Sequence, residues 1–330
     1  MRKMKIIQVG VGGFGRSWVD IILNSSEWEA VGFVDINQEA LKKIIKECNL
    51  PEEKCFVSLK ECFKKVKADA LLNITPPSFH KEITIDALRE GLHVLVEKPL
   101  SDNMKDAEEM VEKAEKYGRK LMVSQNYRYR KIPRSIRKFI KDGKIGKISH
   151  ILLNFQKGPR FSGFRIEMEY PLLKDMSIHH FDLMRYITGK NPINVYAKSW
   201  NSTWSWFKGD ASISIIMGFE DGIQINYFGS WTSIGKETSW DGDWKIYGEK
   251  GSLFWIDDKL EFVDSKGKSK NVKIVEMKKE DRNMALFEFY NAIKEKREPE
   301  TSGKDNIKSL EIVFKSLESI KKKIPVKIKN

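Results

Sequence analysis

Short runs of β-branched residues alternate with helical patterns in the first 125 residues. The strands that this pattern predicts are "KIIQVG", "AVGFVD", "ADALLNI", "HVLVEK" and "KLMVSQ". Apolar residues three and four apart predict helices over 13–24, 37–49, about 78–89 and about 101–117, the last one starting at Ser101. "SLKE" at 58–61 has the form of a capping box and predicts another short helix. Strands separated by helices imply a parallel, doubly wound α/β sheet, so we expect residues 1–125 to form a nucleotide-binding domain.

Beyond residue 126 the pattern changes. A basic helix over 129–141 precedes one strand after another, and two helices over about 281–295 and 303–322 close the chain. The predicted strands are "HILLNFQ", "NVYAKSW", "SISIIMGF", "IQINYFGSW", "DWKIYG" and "SLFWID". We expect residues 126–330 to form an α+β domain with a large, open and mainly antiparallel sheet, whose last helix can pack back on the first domain.

Composition narrows the classes of function. The chain has 330 residues, 41% of them hydrophobic, and no apolar run approaches the roughly 18 residues that span a bilayer, so we expect a cytoplasmic protein that binds no membrane. Cys48, Cys55 and Cys62 are spaced seven apart, which fits neither a CxxC metal pair nor a disulfide framework. The net charge of +13 is spread among 46 acidic residues, which is typical of a solvated surface and not of a nucleic-acid binder.

Tryptophans concentrate in the second half of the chain. Seven of the nine lie between residues 200 and 255, where the strands of the predicted large sheet occur. We interpret most of them as part of a sheet face that helices or a second subunit cover, in preference to a role in stacking on sugars.

The segment "VGVGGFG" places Gly10, Gly12 and Gly15 in GxGxxG spacing between a predicted strand and a predicted helix, with Gly13 and Phe14 completing the turn. The first glycine permits a tight turn, the second lets a pyrophosphate approach the backbone, and the third lets the helix pack closely on the sheet. The spacing therefore predicts a Rossmann-type dinucleotide site.

The second strand ends in an acidic residue that bears on the choice of cofactor. Asp35 follows Gly15 by twenty residues, where a carboxylate binds the hydroxyls of the adenine ribose and repels a 2′-phosphate. We therefore expect NAD in preference to NADP, although Arg16 and Lys42 lie nearby in the sequence.

Two further loops follow strands of the same sheet, at the edge where such folds bind ligands. They are "NITPPSFH" and "VEKP". Singly, an X-Pro segment is usually a rigid turn and a lysine usually a surface residue, but their shared edge favours a functional role. The candidate cofactor contacts in these loops are Ile74, Thr75, Pro76, His80, Glu97 and Lys98.

The stretch "LLKDMSIHHFD", residues 172–182, places two histidines side by side between two aspartates. On an α-helix Asp175, His179 and Asp182 share a face, whereas His180 points about 100° away. Taken alone, the stretch is compatible with a metal cage, a catalytic pair or a helix surface.

These segments, together with "QNYRYR", "WKIYGEKGSL" and "PETSGKDNIKSLEIVFKSLES", resemble in order and spacing the Gfo/Idh/MocA family of glucose-fructose oxidoreductase and inositol dehydrogenase. The resemblance covers nearly the whole chain. It implies an N-terminal Rossmann domain, a C-terminal α/β domain on a large open sheet, and homodimers or homotetramers formed through that sheet.

The resemblance also implies catalytic residues. In the family, the lysine of the EKP motif and an Asp-x-x-x-His pair surround the reacting carbon, which here implies Lys98, Asp175 and His179. Glycines that often flank this pair in the family are replaced by Leu172, Leu173 and Ser177. These replacements bear on the wall of the pocket and therefore on the substrate.

Oxidation of a secondary alcohol by NAD needs a base near the hydroxyl and a positive charge beside the developing alkoxide. We expect His179 to take the proton, Lys98 to stabilise the charge on oxygen, and Asp175 to orient the histidine or bind a neighbouring hydroxyl. We expect no metal, because hydride transfer to NAD needs none. His180 is expected to be structural, and Asp182 to support the site or lie on the helix surface.

The resemblance further places the segment after the last Rossmann strand in the substrate pocket. Asn126 is expected to contact cofactor and substrate. Arg128 either binds hydroxyls or a carboxylate of the substrate or forms a salt bridge that links the domains. Arg165 and Trp204 are weaker candidates for substrate contact, placed only by the loops in which they lie.

We therefore expect an NAD-dependent dehydrogenase that acts on a polyol or sugar, such as an inositol. The alternatives within the family are an enzyme for nucleotide-linked sugars and a glycosidase that uses NAD transiently. From other classes, the alternatives are a catalytically silent NAD-binding regulator and, less favoured, a nucleic-acid binder.

Overall fold

The computed structural model describes residues 3–328, in which the chain divides into two units. One unit runs from the first described residue to Asn126 and also includes Lys279–Ile307, and the other comprises Tyr127–Lys278 and the chain from Lys308 onward. The sequence predicted a single boundary at residue 125, so residues 279–307 join a different unit from the one expected. Residues 1–2 of the first predicted domain and residues 329–330 of the second lie outside the described residues.

The secondary structure is as follows. The strands are β1 (Met4–Val9), β2 (Trp28–Val34), β3 (Cys55–Phe56), β4 (Ala70–Asn73), β5 (His93–Val96), β6 (Leu121–Val123), β7 (Ile148–Gln156), β8 (Pro192–Trp200), β9 (Ser212–Phe219), β10 (Gln224–Ser230), β11 (Asp243–Gly248), β12 (Gly251–Ile256), β13 (Lys259–Asp264), β14 (Ser269–Asn271) and β15 (Val326–Lys327). The helices are α1 (Phe14–Leu23), α2 (Gln38–Cys48), α3 (Leu59–Lys65), α4 (His80–Arg89), α5 (Met104–Lys116), α6 (Lys131–Lys141), α7 (Phe164–Glu167), α8 (Ser177–Thr188), α9 (Asp281–Lys294) and α10 (Gly303–Lys322).

The first unit contains a parallel sheet. Among its described residues six strands pair in the order β3-β2-β1-β4-β5-β6, which confirms the predicted doubly wound topology. The central strands are buried on both faces, as Ile6, Leu71 and Val94 show with no exposed surface. The order reverses between β1 and β4, which is where ligands bind in such sheets.

Helix starts in this unit follow capping chemistry, with one difference from the prediction. Ser58 caps α3 by accepting a hydrogen bond from the backbone N–H of Glu61, as the capping box predicted. Helix α5 does not start at Ser101, because Asn103 is its N-cap and accepts a hydrogen bond of 2.9 Å from the backbone N–H of Asp106.

Helix α9 belongs to the first unit because it packs on the start of β2. The buried indole of Trp28 stacks on Phe289 with ring centroids 5.6 Å apart, and its Nε1 donates to the carbonyl of Leu286 at 3.2 Å. Lys279, just before the helix, donates to the Glu27 carboxylate at 2.6 Å. These contacts join segments more than 250 residues apart in the chain.

The second unit contains a mixed sheet. Among the described residues nine strands pair in the order β14-β13-β12-β11-β7-β10-β9-β8-β15, and every pair is antiparallel except β7 with β10. The prediction of a large, mainly antiparallel sheet is confirmed. Helix α8 packs on one face, where His180 meets the edge of Phe155 with centroids 4.8 Å apart. The other face carries partly exposed apolar side chains, among them Leu152, Ile216 and Phe228.

Within residues 3–328, none of the helices combines the length and the apolar character that a membrane crossing requires.

Candidate active site

The glycine-rich turn after β1 has the geometry that a dinucleotide requires. Gly10 has φ of +87°, and a Cβ at Gly15 would lie 2.3 Å from the Gly10 carbonyl oxygen, so neither position accepts a side chain. Gly12, Gly13 and Phe14 are exposed, and no side chain caps the first turn of α1. Uncapped N–H groups at a helix N-terminus bind phosphate, so the turn fits a pyrophosphate.

Asp35 lies directly beside this turn. Its Oδ2 accepts hydrogen bonds from the backbone N–H groups of Val11 at 2.9 Å and Gly12 at 3.2 Å, and its Oδ1 accepts one from Asn37 at 2.9 Å. The carboxylate therefore places a negative charge next to the exposed glycines. A 2′-phosphate at this place would be repelled.

A buried glutamine, which the sequence analysis did not identify, holds the glycine-rich turn by hydrogen bonds to its carbonyl groups. Gln8, in β1, is 1% exposed, and its Nε2 donates to the carbonyls of Gly10 at 2.9 Å and Gly15 at 2.8 Å. The sequence does indicate such a role, because a glutamine in an otherwise apolar buried strand needs hydrogen-bond partners inside the protein.

The loops after β4 and β5 are joined by His80. Ile74 is nearly buried, Thr75 half-buried and Pro76 exposed, whereas His80 has no exposed surface. Its Nε2 lies 2.8 Å from the carbonyl oxygen of Thr75 and its Nδ1 lies 3.0 Å from that of Pro99, and burial lowers the pKa of the ring. The expected direct contact of His80 with the cofactor is corrected, because the ring is enclosed and instead fixes the spacing of the two loops.

Glu97 also acts from inside the unit. It is 6% exposed and accepts hydrogen bonds from Trp18 Nε1 at 2.9 Å and from the backbone N–H of Lys98 at 3.0 Å, and burial raises the pKa of its carboxyl. Lys98 is half-buried at the end of the same loop. Asn126 is the last residue of the unit's first segment, and its side-chain amide donates a hydrogen bond to the carboxylate of Asp281 at the start of α9.

The stretch 172–182 is a π-helical turn, Leu172–Met176, that continues into α8. Asp175 lies in the π-turn, where α-helical spacing does not hold, so its expected place on a common face with His179 and Asp182 is corrected. His179 and Asp182 both lie in α8, three residues apart, and keep the expected spacing. A helix-surface role is excluded as well, because every residue of α8 except Tyr186 is buried.

Asp175 is paired with an arginine from α7. Its Oδ2 accepts a hydrogen bond of 2.6 Å from Arg165 Nε, and the Arg165 guanidinium lies near the rings of Phe161 and Phe164. The predicted substrate contact Arg165 is therefore brought to the predicted catalytic Asp175. Trp204 is 60% exposed, and its Nε1 donates a hydrogen bond to the carbonyl of Thr232 and not to Asp175.

His179 is held by an aromatic stack that the sequence did not reveal. Its ring lies parallel to that of Tyr127 with centroids 4.1 Å apart, and the Arg130 guanidinium lies 3.4 Å from the centre of the same tyrosine ring. Two groups this close cannot share one face, so Tyr127 lies between them. Arg130 is in turn bound to Asp241 at 2.7 Å. The stack fixes the plane of the imidazole, which is 5% exposed.

Asp182 and Arg128 form a buried ion pair. The Nε and Nη2 atoms of Arg128 donate to the two carboxylate oxygens at 2.5 and 2.7 Å, and Ser309 Oγ donates to Oδ1 at 2.9 Å. Asp182 has no exposed surface, so the expected surface position is corrected. Arg128 is 6% exposed at its side chain and engages a carboxylate of its own unit. Its two expected roles, substrate binding and a salt bridge between the domains, stay predictions.

His180 has a different environment from its neighbour. Its Nε2 lies 3.3 Å from the carbonyl oxygen of Trp240, and its Nδ1 lies 3.0 Å from the hydroxyl of Tyr227, which also contacts Ser177 Oγ at 3.2 Å. Burial lowers the pKa of His180 to about 3. The ring is therefore neutral, with the proton on Nε2 facing the carbonyl, so Tyr227 donates to Nδ1. Over residues 3–328, no three potential metal ligands of the His, Cys, Asp and Glu types cluster.

Family models match both units of the chain. The model described as "Oxidoreductase family, NAD-binding Rossmann fold" matches residues 4–125, and that of the "GFO/IDH/MocA C-terminal domain" matches residues 134–254.

Curated relatives extend over much of the chain. An uncharacterized protein of Sinorhizobium fredii is 28% identical over 98% of this chain and 95% of its own length. The 1,5-anhydro-D-fructose reductase of Ensifer adhaerens is 24% identical over 92% of each chain. The myo-inositol 2-dehydrogenase of Thermotoga maritima is 26% identical over 59% of this chain and 58% of its own.

Solved structures share the fold along the whole chain. An oxidoreductase from Agrobacterium radiobacter, in complex with NAD+, L-tartaric acid and magnesium, superposes with a TM-score of 0.89 at 19% identity over 99% of this chain and 98% of that one. The aldose-aldose oxidoreductase of Caulobacter crescentus, complexed with glycerol, superposes with a TM-score of 0.87 at 22% identity over 99% and 100%.

Proposed function

The chain belongs to the Gfo/Idh/MocA family of NAD-binding oxidoreductases, and from this premise we propose that it oxidises a secondary alcohol of a polyol or sugar, or reduces the corresponding ketone. The observation that carries the proposal is an imidazole, His179, held flat against Tyr127 in a chain that also has a complete dinucleotide turn. The reaction requires a base held in a fixed orientation and a nicotinamide cofactor.

The residues of the first unit fit NAD. The exposed Gly12 and Gly13 would face the pyrophosphate at the uncapped start of α1, and Asp35 would accept hydrogen bonds from the adenine ribose. Bound there, the nicotinamide would supply the acceptor for a hydride from the substrate carbon.

In the proposed reaction, His179 takes the proton of the substrate hydroxyl, and Lys98 donates a hydrogen bond to the same oxygen and stabilises its negative charge. Asp175 binds a neighbouring hydroxyl or orients the base. Its pairing with Arg165 at 2.6 Å supports the first of these roles, because the hydrogen bond from the arginine fixes the direction of the carboxylate.

The substrate class is proposed from the relatives and from the chemistry of the residues. Relatives of this chain are named for anhydrofructose, for myo-inositol and for aldoses, all of which carry several adjacent hydroxyls. Asp175 and Arg165 provide an acceptor and donors side by side, which suits such a substrate.

A screen tests the proposal. Purified protein is mixed with NAD or NADP and a panel of inositols, aldoses and uronates, and the absorbance of reduced nicotinamide is followed. We expect at least one polyol or sugar to reduce NAD, with NADP less effective. Product formed without net reduction would instead favour the NAD-dependent glycosidase, and no turnover of any member would favour the silent regulator.

The catalytic roles are tested with matched variants. Lys98→Ala and His179→Ala should each lower kcat by about 100- to 10,000-fold while the Kd for NAD stays within about threefold. Lys105→Ala and His150→Ala serve as controls, because Lys105 is an exposed residue of α5 and His150 lies on β7 against Tyr247. Near-normal turnover of either catalytic variant at saturating substrate would contradict the assignment.

We also propose that two copies of the chain associate through the large sheet. Tyr196, Ile216, Leu152 and Phe228 on its outer face are 36% to 50% exposed, and Tyr196 and Ile216 are direct cross-strand neighbours. An apolar row of this kind is typical of an interface. Light scattering after gel filtration should give at least a dimer that Ile216→Lys disrupts, whereas Ile36→Lys, at an 88% exposed position of the first unit, should not.

A further inference from the structure

Arg282, in the first turn of α9, lies against the start of α1 within the first unit. Its Nη1 donates to Ser17 Oγ at 2.6 Å, and its guanidinium carbon lies 5.0 Å from the ring centre of Phe14 and 5.6 Å from that of Trp18. Phe14 is the first residue of α1 and is 58% exposed. A cation from the far end of the chain is thus placed one side chain away from the glycine-rich turn.

The position of Arg282 is fixed by the packing of its helix. Trp28 stacks on Phe289 and donates to Leu286, so α9 is anchored one and two turns beyond the arginine. At the helix start, the Asp281 carboxylate accepts hydrogen bonds from Asn126 and from the backbone N–H of Arg282. The guanidinium is therefore preorganised and needs no reordering of α9 to act.

The contacts of Arg282 differ from those of four arginines that are bound to carboxylates. Arg16, Arg128, Arg165 and Arg297 each bind a carboxylate at 2.9 Å or less. Arg282 instead uses one N–H on a hydroxyl and covers two aromatic rings. A guanidinium has five N–H donors in a planar fork that matches phosphate, so most of its capacity remains for an anion.

We propose that Arg282 is a ligand of the cofactor's pyrophosphate, supplementing the backbone N–H groups of the turn. The N-terminus of α1 offers dipoles and N–H groups but no cationic side chain of its own for this purpose, because Arg16 is bound to Asp20 and Glu47. Arg282 supplies a full charge at the same place. The consequence is that NAD and NADH are retained more tightly than by the glycine turn alone, in either redox state, because both carry the same pyrophosphate.

The proposal is tested by measuring Kd for NADH, ADP-ribose and adenosine by calorimetry or by competition. Arg282→Gln should raise the Kd for NADH and ADP-ribose equally, by about 10- to 100-fold, which is the effect expected of a charge-assisted hydrogen bond. The Kd for adenosine, which has no phosphate, should stay within about twofold. Arg282→Lys should give an intermediate loss, because it keeps the charge but not the fork.

Arg16→Gln is the matched control, since this α1 arginine is occupied by carboxylates, and it should leave all three Kd values unchanged. Circular dichroism melts establish that each variant is folded, and Arg282→Lys is the substitute if Arg282→Gln is not. An unchanged Kd for ADP-ribose would overturn the proposal, and so would an equal loss for adenosine, which would indicate displacement of α1. No sugar enters the experiment, so its failure would leave the proposed substrate untouched.

Discussion

Replacement of Arg128 by methionine tests whether this arginine belongs to the scaffold or to the substrate pocket. The side chain would keep an unbranched apolar stem and lose the guanidinium and its charge, leaving the Asp182 carboxylate with Ser309 Oγ at 2.9 Å and Arg185 Nη1 at 3.9 Å. Asp182 has no exposed surface in the native structure, so its carboxylate relies on these internal partners.

The expected loss of stability follows from these distances. Breaking a buried ion pair by removing one partner typically costs 3–5 kcal/mol, because a charge is left buried without compensation. Ser309 and Arg185 compensate in part, so we expect the free energy of unfolding to fall by about 3 kcal/mol. Removing both charges in Arg128→Met with Asp182→Leu should cost less than the sum of the two single changes, because no unpaired charge remains.

Urea unfolding followed by tryptophan fluorescence measures this change, since seven of the nine tryptophans lie between residues 200 and 255, in the second unit. Lys190→Met is the control, because the side chains of Lys190 and Asp221 are 36% and 66% exposed and solvent screens their attraction, so the urea midpoint should stay nearly unchanged. The reasoning would be refuted if Arg128→Met unfolded like the control while KM for the substrate rose more than about tenfold.

Three further changes test other parts of the structure. Burial alone would raise the pKa of Glu27, but hydrogen bonds led by that from Lys279 lower it from 4.5 to about 2, so its contribution is present above pH 4.5 and lost as the pH falls towards 2. Glu27→Gln should therefore destabilise by about 1–2 kcal/mol at pH 7 and by about a quarter of that at pH 2.5 in urea titrations. Gly15→Ala should lower the free energy of unfolding by about 2–3 kcal/mol, because its Cβ would lie 2.3 Å from a backbone oxygen. Gly12→Ala should stay folded, because no atom lies nearer than 3.5 Å to its Cβ, but it should weaken NADH binding at least about tenfold. Tyr127→Leu should lower kcat by about 10- to 100-fold with the Kd for NAD unchanged, and Tyr127→Phe, which keeps the stack, should recover most of it; equal loss in both would contradict the positioning role.

The first unit could be predicted because its signals are local. A strand ending in Gly10 and a helix opening near Gly15 specify the turn, and an acidic residue at Asp35 follows at the spacing that the fold imposes. The start of α5 was misplaced because Ser101 and Asn103 are both good N-caps, and only the structure distinguishes them.

Contacts between distant segments could not be predicted. The return of α9 depends on the indole of Trp28 meeting Leu286, 258 residues later. Strand β13 was missed because its hairpin turn is Asp257-Asp258, with φ of +47° and +61°, where a turn of this kind usually has Asn-Gly or Asp-Gly.

The candidate site of the second unit was predicted by residue type but not by partner. Periodicity treated 172–182 as an α-helix, and no local pattern revealed the π-turn that separates Asp175 from His179. Asp175, His179 and Asp182 contact Arg165, Tyr127 and Arg128, respectively. These partners lie on other elements, so only the tertiary packing determines which partner each residue contacts.

Transfer of deuterium tests the central claim most directly. The protein is incubated with NAD and with the polyol or sugar found in the screen, deuterated at the carbon of each secondary alcohol in turn, and the nicotinamide product is analysed by mass spectrometry. We expect one labelled position to give reduced nicotinamide one mass unit heavier at C4, together with the ketone, and His179→Ala to abolish this transfer. Unlabelled reduced nicotinamide from every labelled substrate, or conversion of substrate without any labelled cofactor, would contradict the account.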